Sequence, residues 1–197
     1  MRTPVPTLLI LLVLMSCPAG YAQEPTEEEI GTVQVLTSEE HALAAIFPDA
    51  DSAHPGVIAL DSARREALRA LLGRHVRDSA FVYFDVFAQG RRAGTAVIAE
   101  ERGKYRPITF MAGVDTALRI VDARVLVYRE SRGGEVQRTR FLKQYPGKSL
   151  SDPIRINRDI INITGATISV NALNAGIRKV LAVAALLHPP ATGEGGP

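Results

Sequence analysis

The sequence contains a single cysteine in 197 residues. It is Cys17, close to the start, so the body of the chain has no disulfide and no thiol for metal binding, heme attachment or redox chemistry. Neither sign of charge is in excess. The formal net charge is +2, and charged residues make up 22%. That gives no field strong enough for nucleic acid and suits an ordinary mixed surface. The four histidines, His41, His54, His75 and His188, have no ligand spacing, so no metal site is expected. There is no Ser-His-Asp order, no dinucleotide fingerprint, no P-loop lysine and no paired-carboxylate site. No catalytic residue is assigned.

Long apolar runs are also scarce. Leu8 to Met15 is unbroken, but a bilayer-spanning helix needs about 20 such residues. Arg2 before this run and Gly20-Tyr21-Ala22 after it match a secretory signal peptide cut before Gln23. An exported, periplasmic or extracytoplasmic location is expected. Leu14-Met15-Ser16-Cys17 also resembles a lipoprotein signal, which would tether the protein to a membrane. Met15 is unusual there, and plain cleavage is favoured.

The full sequence has 46% hydrophobic content, enough for one domain with a real core. Gln23 to Glu29 reads as a polar leader, and Ile30 to Leu36 as a short strand. Ser38 caps a helix that Pro48 ends, and Asp49 to Pro55 reads as a loop. Asp61 caps a clearer helix with an apolar stripe of Ala67, Leu68, Leu71 and Leu72, closed by Gly73. Its Arg64, Arg65 and Arg69 are expected on the wet side.

The pattern then changes to period two. Strands are expected over Ala80–Ala88, Gly94–Ala99, Pro107–Val114, Leu118–Glu130 and, after Gly133-Gly134, Glu135–Phe141. A final helix spans about Ser169 to Leu187, with Leu173, Ile177, Val180, Leu181 and Ala184 on one face. Arg178 and Lys179 break its apolar character, so it reads as a docking helix and not a membrane span. The fold class is α+β: a mostly antiparallel twisted sheet with flanking helices and a C-terminal helix.

The chemistry is concentrated ahead of that helix, in Asn162–Ser169, NITGATIS. Gly165 permits a tight turn. Thr164, Thr167 and Ser169 set hydroxyls around it, and the helix start directs free N–H groups to the same place. This combination suits a phosphate. Taken singly, each feature is equally well read as an ordinary cap or turn.

TGATIS resembles the flavinylation motif of the FMN-binding domain family, which includes the C subunit of sodium-pumping NADH:quinone oxidoreductase and the G subunit of Rnf complexes. The resemblance extends upstream through Gly113, Val125 to Tyr128, Glu130 and Gly133-Gly134, and covers about residues 80 to 187. It implies FMN held through a phosphoester bond on Thr167, with Thr164, Gly165 and Ala166 shaping the phosphate pocket and Ile168 and Ser169 also among the cofactor-binding residues. Glu130, Ser131, Phe141 and Gln144 would lie near the ring or ribityl chain, although a core aromatic and a solvated strand end are equally good readings of Phe141 and Glu130. A magnesium-dependent flavin transferase would install FMN from FAD. The implied role is an electron-transfer carrier with redox protein partners, membrane-bound ones among them. A flavin-dependent reductase with its own small-molecule acceptor is the alternative.

One departure stands out. The family's acidic residue before the motif aligns with Ile161, and Asp159 would replace it only if the chain bulges. Non-covalent FMN binding is therefore a second alternative. The expected organisation is a signal peptide over 1–22, a leader and helical subregion over 23–79, the FMN-binding domain over 80–188 and a disordered tail over 189–197.

Overall fold

The computed structural model describes residues 31–189. The expected signal peptide, Cys17, the leader and the tail beyond Pro189 lie outside the described residues. The centre is a six-stranded sheet of β1 (Gln34–Val35), β2 (Ser52–Ala59), β3 (Ala80–Ala88), β4 (Arg91–Arg102), β5 (Pro107–Asp115) and β6 (Ile120–Tyr128). Its order is β1-β6-β5-β4-β3-β2, and every neighbouring pair is antiparallel. Four helices accompany it: α1 (Glu39–Ile46), α2 (Ser62–Leu72), α3 (Thr139–Leu142) and α4 (Thr167–Leu187). The α+β class read from the sequence is the one observed.

Each face of the sheet has its own core. On one, α1 brings Ala42, Ile46 and Phe47 onto Val86, Ala96, Met111 and Leu126. On the other, α2 and α4 cover Val97, Phe110, Ala112 and Val125 with Leu68, Leu173, Ile177, Val180 and Leu181. This explains why β5 is buried at nearly every position instead of at alternate ones. The stripe expected on α4 is the buried one. By length and mean hydropathy α4 could cross a membrane, but 67% of its apolar window is buried inside the protein.

Two elements differ from the sequence reading. The expected loop over Asp49–Pro55 gives way to β2, which pairs with β3 from Ser52↔Phe87 to Ala59↔Ala80. Pro55 and Gly56 conceal it, but β2 is the outermost strand, where a missing N–H is tolerated on the unpaired side. The expected strand over Glu135–Phe141 is instead a 3-10 turn, Gly134–Gln137, followed by α3. Its apolar residues Val136, Phe141 and Leu142 are all buried on the sheet, and helical turns achieve this at spacings a strand cannot. Arg65 also leaves its expected wet side, donating to the carbonyls of Leu60 (3.2 Å) and Val76 (3.2 Å).

Candidate functional site

The motif forms the turn that leads into α4. Ala166 N–H donates to Ile163 O at 2.9 Å, closing a β-turn, and Gly165 occupies its third position at φ +84°. That left-handed conformation is readily available only to glycine. Ala166 is the N-cap of α4 and has no side chain able to cap. The first bond of α4 described is Val170 N–H to Ala166 O, at 2.9 Å. The N–H groups of Thr167, Ile168 and Ser169 therefore have no acceptor from the helix or from a cap. Alanine is a poor N-cap residue. A long core helix starting this way breaks a local stability rule at the place where a phosphate acceptor would be useful.

The hydroxyls of the motif separate. Thr167 is exposed at the first position of α4, where its Oγ1 accepts from Asn162 Nδ2 at 3.0 Å. Thr164 and Gly165 are exposed in the turn, Ala166 is buried beneath it, and Ile168 is 51% exposed. Ser169 is buried. Tyr128 Oη donates to Arg132 O at 2.6 Å, so the Ser169 hydroxyl, 3.0 Å away, donates to Tyr128. Ser169 thus ties α4 to the end of β6 and does not face the turn. Burial pushes the Tyr128 phenol above its ordinary pKa, opposed by the bond with Ser169.

Gly133 completes this junction. It has φ +82°, and a Cβ there would overlap Ser169 Oγ. Gly133→Ala is expected to destabilise the protein by about 1–2 kcal/mol from the backbone conformation alone. A thermal melt checks it: a lowered Tm is expected, and an unchanged one contradicts the packing described.

Two adjoining cavities lie beside the turn. One, of about 410 Å³, is lined by Ser131, Arg132, Gly133, Glu135, Arg138 and Thr164 among others. The second, of about 450 Å³, is lined by Glu135, Arg138, Arg140, Phe141, Gln144 and Asn162 among others. Glu135, Arg138 and Thr164 belong to both. Each has the size of an ordinary small-molecule pocket. Ser131, Phe141, Gln144, Thr164 and Gly165 are therefore gathered around one composite groove next to Thr167. Gln144 Oε1 also accepts the N–H of Ile161 at 2.7 Å, linking the groove wall to the motif strand.

Glu130 is placed elsewhere. It is 6% exposed and lines neither cavity. Its Oε1 accepts the N–H groups of Tyr105 (2.7 Å) and Arg106 (3.1 Å), which pins the turn between β4 and β5. The sequence reading missed Asn162, Arg132, Arg138 and Arg140. Asn162 could have been found as the polar residue heading the motif. Arg138 and Arg140 were concealed by the expectation of a strand over Glu135–Phe141.

Asp159 does not take the place of the acidic residue absent at Ile161. Its Oδ2 accepts from Lys148 Nζ (2.9 Å) and Ile154 N–H (3.1 Å), and Oδ1 accepts Arg155 N–H at 2.9 Å. Burial works against its charged form, but these donors outweigh it and hold the carboxyl below the ordinary aspartate range. Stability from this carboxylate is present above the ordinary aspartate pKa and is lost as pH falls through the lower, folded value. Asp159→Asn is expected to cost about 2 kcal/mol at neutral pH. The variant should also lose part of the acid sensitivity, so its melting curve and the parent's should converge at low pH. Parallel curves would contradict this role.

Among the described residues, no three His, Cys, Asp or Glu side chains come together as a metal site. No curated protein matches the sequence. The crystal structure of Shewanella oneidensis NqrC shares the fold, with a TM-score of 0.50 at 16% identity over 79% of this chain and 88% of that one. The family model of the FMN-binding domain matches residues 103–182, a span containing the strands β5 and β6, the groove and the turn before α4. Residues 103–182 of this chain are therefore similar to the FMN-binding domain.

Proposed function

We propose that the protein is an exported electron carrier whose FMN is esterified to Thr167. The observation that carries this reading is an exposed hydroxyl at the first position of a helix whose N-terminal N–H groups are uncapped, beside a groove rimmed with arginine. Those N–H groups would hold the phosphodiester oxygens, a helix-end interaction worth about 0.3–1 kcal/mol for an exposed anion. Arg132, Arg138 and Arg140 supply positive charge along the groove. Phe141 and Gln144 supply an apolar face and an amide at its wall. The isoalloxazine, once bound, supplies the uptake and release of electrons.

Thr167 Oγ1 is a weak nucleophile and needs a base and a metal from a modifying partner. With FAD as donor, the Thr167 hydroxyl gives its proton to that partner's base. The Oγ–phosphorus bond forms on the FMN side as the pyrophosphate linkage breaks, and AMP leaves. No electrons are transferred in this step. The amide of Asn162, already bonded to Oγ1, positions the hydroxyl. Attachment suits an exported protein, because the signal-like segment over 1–22 would carry it away from cytosolic flavin.

A second reading, non-covalent FMN in the same groove, is favoured by Ile161, which is 78% exposed where the family has an acid. Co-expression with a magnesium-dependent flavin transferase separates the two. Covalent attachment predicts yellow colour that stays with the protein through acid precipitation. Release of all flavin into the supernatant, with the transferase active on a control substrate, would establish the second reading.

A further inference from the structure

A second cleft lies along α4, away from the flavin groove. It is about 400 Å³ and is lined by Leu72, Arg74, Ile154, Arg155, Ile156, Asn171, Asn174, Ala175 and Arg178. None of these residues lines the flavin groove. Asn171, Asn174, Ala175 and Arg178 recur at helical spacing, so one stripe of a core helix is polar. The lining holds three guanidinium groups and two carboxamides, and no carboxylate.

Asn174 gives the second, independent observation. It is 4% exposed, and its Oδ1 accepts from Tyr145 Oη at 2.8 Å. Its Nδ2 is buried without a partner. An unpaired buried donor costs about 1–3 kcal/mol, and here it belongs to a side chain that lines the cleft. Arg155 has no described side-chain partner. The bonds described for Arg74 use only Nη2, to Glu101 (2.6 Å) and Ala175 O (3.2 Å). Those for Arg178 use only Nη1, to Asp152 O (2.9 Å) and Leu150 O (3.5 Å). Each arginine keeps further donors.

The backbone of the facing loop is strained. Ile154 is β-branched and has φ +45°, a conformation costing about 1–3 kcal/mol. The Asp159 carboxylate enforces it by accepting the N–H groups of Ile154 and Arg155. Arg155, next in the chain, lines the wall of the cleft.

We propose that this cleft binds a small anionic molecule through a phosphate or carboxylate oxyanion, with Arg74, Arg155 and Arg178 supplying charge and hydrogen-bond donors. Leu72, Ile154 and Ile156 favour a short apolar body on that ligand. The assignment stands independently of flavin attachment.

Inorganic phosphate and succinate, titrated separately into the matured chain by calorimetry at constant ionic strength, test it. Saturable binding in the millimolar range or tighter is expected for at least one of them, with a matching rise in Tm. The tighter probe identifies the oxyanion. Arg155→Glu, at an exposed position, should weaken binding roughly tenfold or more. Arg178→Gln is the second variant should the first fold poorly. Arg138→Glu, in the flavin groove, should leave the affinity unchanged. Absence of saturable binding for both probes overturns the proposal. So does binding that survives Arg155→Glu and Arg178→Gln but is lost in Arg138→Glu, which would place the anion in the flavin groove.

Discussion

Thr167→Val, co-expressed with an active flavin transferase, is expected to carry no covalent flavin at all, while the unaltered chain carries one FMN. Valine keeps the β-branched shape of threonine at the first position of α4 and removes only the hydroxyl, so the fold should be retained. The expected effect is complete, because the ester has no other atom to form on at that position. Thr164→Val is the matching control. Thr164 is exposed in the turn and lines both cavities, and its loss should leave attachment in place. Ser169→Ala should also keep the flavin, since that hydroxyl is buried against Tyr128. Flavin fluorescence of the denatured protein band, with circular dichroism to confirm folding, reads all three. Covalent flavin on Thr167→Val would reject the site.

The largest effect on stability is expected at Lys179. This residue is 3% exposed; its ammonium group donates to Asp78 Oδ2 (3.0 Å) and Glu100 O (2.7 Å) and forms an ion pair with Glu101 Oε1 (3.0 Å). Lys179→Met fills much of the same volume but leaves Asp78 without its cation and Glu101 with Arg74 alone. Breaking a buried pair this way costs 3–5 kcal/mol when fully buried. Asp78 and Glu101 keep 25% and 14% exposure, which places the expected loss near the lower end, about 3 kcal/mol. For a domain of this size that lowers Tm by about 6–12 °C. A Tm within about 2 °C of the parent's would contradict a buried cation holding α4 to β4. At temperatures where the variant is folded, Thr167 should still accept flavin, because Lys179 lies far along α4 from the turn.

Lys179 also illustrates what the sequence could not convey. Its charge marked α4 as something other than a membrane span, which agrees with a helix packed against the sheet. Lysine is rarely fully buried, and the structure buries this one. Its partners come from the segment before β3 and from β4, so no window around residue 179 contains the reason. The same limit applies to β2. Pro55 and Gly56 are ordinary loop residues in sequence, and only pairing with β3 makes them part of a strand. The Gly133-Gly134 turn was legible, but the conformation after it was decided by Val136, Phe141 and Leu142 packing on the sheet.

Local signals fared better where the physics is local. Ser38 accepts from His41 N–H and Asp61 from Arg64 N–H, as their positions ahead of apolar periodicity predict. The motif was legible as a Gly turn feeding a helix, because turn and helix start are set by neighbouring residues. The groove was only half legible. Phe141 and Gln144 line it, whereas Glu130 anchors a distant turn through Tyr105 and Arg106. A carboxylate at a strand end gives no sequence sign of which backbone it will accept from.

Mass spectrometry of the peptide from Asp159 to Arg178, released by trypsin from protein matured with its transferase, tests the central claim most directly. The account predicts a peptide heavier by one FMN less water, with fragment ions placing the whole addition on Thr167. An unmodified Thr167, or the addition found on Thr164 or Ser169, would contradict it.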